Sequence, residues 1–185
     1  MTRRALALAV CLFASAPAFA QAIDYRVLAT SKTSTMEREM NDFGALGFKF
    51  ASVMGGETAG GSEVVVLMQK GGATPEGSYR YKLLATSKTS TMQREMSEAA
   101  LAGYDYVGQT MFESAFGGEE VVSIVERAGV TGSQYVYRLL ATSKTSTLQK
   151  ELNDLARDGF SALGMTVGQT SLGGNELVVI ARKKK

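Results

Sequence analysis

The sequence predicts an α+β fold built from three tandem β-α-β-β units packed together, with about nine strands and three helices. Three observations carry this. The segment L-A-T-S-K-T-S-T occurs unchanged at 28–35, 84–91 and 140–147, each copy 56 residues after the last. Around each copy the apolar period switches in the same order, from alternation to a helical stripe and back. Glycines stand at fixed places in every unit: Gly47, Gly103 and Gly159, then the pairs Gly60 and Gly61, Gly117 and Gly118, Gly173 and Gly174.

The first element of a unit is a short strand, Tyr25-Arg26-Val27-Leu28-Ala29-Thr30, bounded by the Ser/Thr cluster. A helix follows, because Met36, Met40 and Phe43 fall at i, i+4 and i+7 on one face. Ser34 with Glu37 reads as a capping box at its start, as do Ser90 with Gln93 and Ser146 with Gln149. Its stop is Gly47, and likewise Gly103 and Gly159, since glycine takes the left-handed conformation that ends a helix. A second strand is expected at 48–54, 104–111 and 160–167. A Gly-rich hairpin then leads to a β-branched third strand at 63–68, 120–125 and 176–181. A right-handed crossover makes the first two strands parallel and the hairpin makes the third antiparallel.

One helix over three strands gives a unit of about fifty residues too little core to stand safely alone, so the three are expected to share an interior. The nine strands could form one continuous, strongly curved sheet or a closed pseudo-threefold arrangement with the three helices on one side, and closure is favoured over serial stacking because open sheet edges invite aggregation. The boundaries follow: signal peptide 1–20, repeat 1 at 21–70, a linker at 71–78, repeat 2 at 79–127, a linker at 128–134, and repeat 3 with a basic tail at 135–185.

Residues 1–20 have the build of an export signal: Arg3 and Arg4, a short apolar run, and Ala18-Phe19-Ala20 as the cleavage site. The run is too short to span a bilayer lastingly, and no later stretch approaches the required length. Cleavage removes two of the 20 basic residues and the single cysteine, leaving 20 − 2 = 18 basic against 18 acidic. Disulfides are then excluded, and neutrality argues against a nucleic-acid coat. The expected location is periplasmic or secreted.

The repeated segment is the candidate site: Thr30, Ser31, Lys32, Thr33 and Ser34, with Thr86, Ser87, Lys88, Thr89 and Ser90, and Thr142, Ser143, Lys144, Thr145 and Ser146. Hydroxyls, backbone N–H groups and an ammonium gathered at a helix N-terminus suit an anionic or carboxylate ligand. The structural account of the same residues is a Ser/Thr-rich turn bonded to its own backbone, with the lysine solvated or paired to Glu39. The Gly pairs precede strands and read as hairpin turns. Met36 with Met40 and Met92 with Met96 could suggest Cu(I), but Leu148 and Leu152 hold these places in the third unit, so apolar bulk is what is required. Seven tyrosines at strand positions read as cross-strand packing, or as a sugar- or peptide-contacting surface.

The sequence has no histidine, and none of its residues after the signal is cysteine, which removes thiol catalysis, a Ser-His-Asp arrangement and common zinc sites. A Ser/Lys pair formed between repeats survives as an enzymatic option, as do acidic pairs for glycoside hydrolysis, although no spacing singles one out. The reading is a non-enzymatic exported binding or interaction module with no cofactor and no metal. Its partner would be an envelope or extracellular ligand or protein, with no nucleic acid and no membrane span after cleavage. The alternative is a structural protein that self-assembles through sheet edges.

Leu148-Gln149-Lys150-Glu151-Leu152-Asn153-Asp154-Leu155-Ala156-Arg157-Asp158-Gly159-Phe160, followed by a hairpin and Glu176-Leu177-Val178-Val179-Ile180-Ala181-Arg182-Lys183, resembles a family of short bacterial domains of unknown function. Members of that family read as strand, helix ending L-x-x-x-G-W, strand, hairpin, and hydrophobic strand ending in Lys or Arg. Here Phe48, Tyr104 and Phe160 stand where the family usually has Trp. The resemblance implies the β-α-β-β topology and no catalytic residues. In topology and export the units are also similar to small enterobacterial periplasmic proteins linked to stress and biofilm formation.

Overall fold

A computed structural model describes residues 22–71, 77, 79–113, 119–129, 133–170 and 174–185. The signal read at 1–20, most of the 71–78 linker, part of the 128–134 linker, and Gly117, Gly118 and Gly173 lie outside the described residues.

Each unit has the expected element order. Unit 1 comprises β1 (Asp24–Thr30), α1 (Thr33–Ala45), β2 (Lys49–Thr58) and β3 (Gly61–Lys70). Unit 2 comprises β4 (Tyr79–Thr86), α2 (Thr89–Leu101), β5 (Asp105–Glu113) and β6 (Glu119–Ala128). Unit 3 comprises β7 (Tyr135–Thr142), α3 (Thr145–Arg157), β8 (Ser161–Thr170) and β9 (Gly174–Lys184). The helices stop where glycine permits it: Gly47, Gly103 and Gly159 have φ of 87°, 87° and 86°. The Phe48 amide reaches back to the Phe43 carbonyl, closing the last turn of α1 at 3.0 Å.

The strands form three separate three-stranded sheets, in the orders β1-β3-β2, β4-β6-β5 and β7-β9-β8, with every pairing antiparallel. β1 and β2 do run the same way, but the hairpin lays β3 between them. The strand richest in β-branched residues thus takes the central place, where both of its edges are hydrogen-bonded.

The helix start differs from the sequence expectation. Each helix begins at the threonine after Lys32, Lys88 or Lys144, those lysines are the N-caps in extended conformation, and no side chain caps the helix. Ser34, Ser90 and Ser146 lie inside the first turn and make no capping box. The chain turns earlier because Thr30, Thr86 and Thr142 accept the amide hydrogen of the lysine two residues on, at 3.2, 3.0 and 3.4 Å. Glu37 and Gln93, the other half of the expected box, are engaged elsewhere.

The units pack serially. α1 lies on β4 of unit 2 as well as on its own β1, and α2 lies on β7 of unit 3 as well as on β4. β2 packs along β5, and β5 along β8, while no comparable packing joins unit 1 to unit 3 among the described residues. α1 and α2 are therefore each wedged between their own sheet and the next on one side, while on the other side consecutive sheets meet directly, in place of the closed arrangement that edge protection favoured. Two apolar cores result, and each is shared by consecutive units. One joins Met36, Met40 and Val66 to Tyr81, Val122 and Ile124; the other joins Met92, Met96 and Val125 to Tyr137, Val178 and Ile180.

β6 shows the consequence most clearly. Val121 and Val125 face its own helix while Val122 and Ile124 face unit 1, and all four are buried. Sealing Val122 and Ile124, each 0% exposed, contributes roughly 1.5–3 kcal/mol apiece. Close approach is required at Gly44 of α1, where an added Cβ would meet the Tyr79 carbonyl oxygen of unit 2 at 2.7 Å.

Candidate functional site: the clefts between units

The repeated segment bends from the end of a first strand into a helix. Thr30, Thr86 and Thr142 end their strands; Ser31, Ser87 and Ser143 stand in the bend; Lys32, Lys88 and Lys144 cap the helices, exposed to solvent; Thr33, Ser34, Thr89, Ser90, Thr145 and Ser146 open them. The threonine-to-lysine hydrogen bonds give the segment a structural role in all three copies. Glu39 forms no ion pair with Lys32 among the described residues.

Thr33 and Ser34 also line a cleft of about 480 Å³ at the junction of units 1 and 2, closed by Glu37, Lys82, Leu83, Ala85, Glu95 and Glu98. The equivalent residues line an equivalent cleft of about 360 Å³ at the next junction: Thr89, Ser90, Gln93, Leu139, Ala141 and Glu151. Every residue of the second set named here lies 56 positions after a member of the first. Thr145 and Ser146 meet no second unit among the described residues and are exposed. The lysines of the segment do not line these two clefts; Lys88 instead lines a small pocket of about 10 Å³ with Thr86, Met92 and Val178.

Side chains that reach between units hold each cleft open in the same way. The Glu37 carboxylate accepts the Leu83 amide hydrogen at 2.9 Å, and Gln93 accepts that of Leu139 at 2.8 Å while donating to the Tyr137 carbonyl at 3.1 Å. Asn41 makes a reciprocal pair with the Tyr81 backbone, both bonds at 3.0 Å. These satisfy the outer edge of a strand that would otherwise lie open.

On the far side of each junction a tyrosine hydroxyl takes the amide of the preceding unit's second strand. Tyr81 accepts from Phe50 at 2.9 Å and donates to Glu126 at 3.0 Å, while Tyr137 accepts from Tyr106 at 3.0 Å and donates to Asp105 at 3.2 Å. Burial, reinforced by the Glu126 charge, pushes the Tyr81 hydroxyl far above the usual phenol range. Burial also pushes Tyr106 and Tyr137 up to about 12, and it raises Glu126 against the opposing effects of the Tyr81 hydrogen bond and Lys49.

The sequence reading missed these junction residues. The tyrosine is present in all three units at Tyr25, Tyr81 and Tyr137, and the edge-capping position is Glu37, Gln93 and Gln149, so the repetition was there to be seen. Its purpose appears only when one unit is set against the next. Among the described residues no Ser hydroxyl and Lys ammonium share a hydrogen bond, no cluster of acidic residues could hold a metal ion, and no helix is long and apolar enough to cross a membrane.

Comparison with known proteins finds no matching family model, no similar characterised protein and no similar solved structure.

Proposed function

We propose that the chain is an exported, non-enzymatic binding or interaction module that holds small polar ligands at its unit junctions, beside the T-S-K-T-S-T loops. The observation that supports this is the pair of equivalent clefts, each walled by the loop's own Thr and Ser and by a glutamate from the following helix. The uncapped first turns of α1 and α2 leave backbone N–H donors that favour a carboxylate or other anionic end. Glu37, Glu95 and Glu98 in the first cleft favour an amine or hydroxyl at the other end, so the ligand class is one carrying both. The lysines contribute long-range attraction from the exposed loop. Residues 1–20 would direct the chain to the periplasm or the medium.

Calorimetric titration with free amino acids, short carboxylates and inorganic phosphate tests this. Binding is expected from a compound with both groups, weakened at least tenfold in a Glu95→Gln, Glu151→Gln double variant. It should weaken less in a Lys32→Ala, Lys88→Ala, Lys144→Ala variant that melts at the wild-type temperature. If the double variant binds as wild type does, the clefts are not the site; if the lysine variant melts lower, the loop is structural alone.

A further inference from the structure

The two ends of the layered stack are chemically unfinished, and each lacks what the other supplies. Among the described residues, sheet 1 has no helix on the face that α1 and α2 cover in sheets 2 and 3. On that face Tyr25 is 51% and Val27 67% exposed, whereas Tyr81 and Tyr137 are 1% and 5% exposed. Val65 and Leu67 beside them are half-buried, while their counterparts Val122, Ile124, Val178 and Ile180 are buried. At the opposite end α3 packs only on its own sheet among the described residues. Ala156 is exposed where Gly44 and Ala100 are buried, and Gln149, the counterpart of Glu37 and Gln93, turns to Asn153 on its own helix at 3.3 Å.

We propose that copies of this chain associate head to tail, the bare side of α3 in one copy docking on the uncovered face of sheet 1 in the next, as a continuation of the two junctions inside the chain. A second copy is the occupant because the two groups that recur at both internal junctions, the edge-capping side chain of the helix and the tyrosine hydroxyl, are both present at the ends. Gln149 stands ready to cap the Val27 amide as Gln93 caps Leu139. The Tyr25 hydroxyl stands ready for the Ala162 amide as Tyr137 serves Tyr106. Small Ala156 allows the close approach made at Gly44. Nine large apolar residues are exposed among those described, and six of them occupy the two ends: Ile23, Tyr25, Val27 and Met54 at the head, Met165 and Val167 at the tail. Apolar exposure concentrated in this way marks an interaction surface.

The ends differ from the internal junctions in polar detail, with Met165 in place of Gln109 and Gln69 in place of Glu126, and most of all at one facing pair of positions. Inside the chain, the Phe50 ring sits where a Cβ on Gly108 would be 2.7 Å away, and Tyr106 fills the same place over Gly164. At the ends the ring is replaced by Ala162 and the receiving glycine by Ser52. The knob is lost where its socket is filled, so the surfaces remain compatible but shallower, and the association between copies is reversible. The contact is heterologous, each copy offering one head and one tail, which gives chains or rings and not a closed two-fold dimer. It also completes a third cleft, with Thr145 and Ser146 of one copy facing Ala29 of the next. The interface needs no ligand and stands apart from the function proposed for the clefts.

Sedimentation velocity of the purified protein over a concentration range decides this. Species are expected to grow past the dimer as concentration rises. Val27→Asp blocks the head and Ala156→Arg the tail, so each variant alone should be monomeric, while an equimolar mixture should form a 1:1 pair and nothing larger. Both side chains are exposed in the single copy, so the melting temperature should hold; Tyr25→Arg and Gln149→Arg serve as a second pair should either first variant misfold. A wild type that stays monomeric up to about 1 mM overturns the proposal. So does assembly of either variant alone, or failure of the mixture to pair. The triple lysine variant should assemble as wild type does, which separates loss of ligand binding from loss of this interface.

Discussion

Unit 1 and unit 2 have nearly the same pattern but not the same environment. Tyr25 and Tyr81 occupy one position of the repeat, yet the first lies half in water and the second is sealed. The difference comes from the unit before: α1 covers sheet 2, and nothing covers the corresponding face of sheet 1 among the described residues. In a serial stack a residue's contribution is set by its neighbour as much as by its own strand, as expected when stability is the sum of unit and interface terms.

The comparison is broken most forcefully at the central strands. Ile124 is 0% exposed in the core between units 1 and 2, while Leu67, its counterpart on β3, is half-buried on the open face. Ile124→Ala should cost roughly 2–5 kcal/mol, because it removes transfer energy and leaves a cavity between two packed layers. Leu67→Ala should cost about 1 kcal/mol or less, since the site is already partly wet. Chemical denaturation at low protein concentration, where copies are apart, measures both. Equal costs would show that sheet 1 is covered in solution.

A smaller contrast sharpens the point with a single oxygen. Tyr81→Phe leaves the Phe50 amide and the Glu126 carboxyl without the hydroxyl they share, and should cost about 1–3 kcal/mol. Tyr25→Phe should leave the stability of the dilute protein within about 0.5 kcal/mol of wild type. If both substitutions cost the same, the junction hydrogen bonds are not what separates the two units.

The interior of each unit was legible in the sequence. Met36 and Met40 at helical spacing, Gly47 after them and the valine run of β3 each obey a local rule, and each falls where the rule puts it. Arrangements that depend on a second unit were not legible. Glu37 satisfies the spacing of a capping box, but its carboxylate goes to Leu83, 46 residues away. Local pattern could not decide between these partners, because both offer an unpaired backbone N–H. The placing of β3 between β1 and β2, and the choice of a serial stack over closure, likewise follow from which faces meet. For the candidate site, the Thr-Ser-Lys segment was visible and its bend is where the sequence placed it. The glutamates that face it across the cleft come from the next helix, and no spacing within one unit points to them.

The finest test of the comparison uses pH. Glu126 is buried beside Tyr81 and its carboxyl is held above the ordinary range chiefly by loss of solvation. The counterpart in unit 1 is Gln69, which carries no charge. A raised folded-state value means that the folded chain binds its proton more tightly than the unfolded chain does, so this group makes stability fall as pH rises from the ordinary carboxylate range through the folded value. Glu126→Gln keeps an acceptor for the Tyr81 hydroxyl and removes that dependence. The variant should match wild type most closely at acidic pH and exceed it modestly at neutral pH, read as melting temperature against pH. A wild type that instead gains stability over the same interval relative to the variant would mean that Lys49 outweighs burial, and that the junction between units 1 and 2 is held by charge as well as by packing.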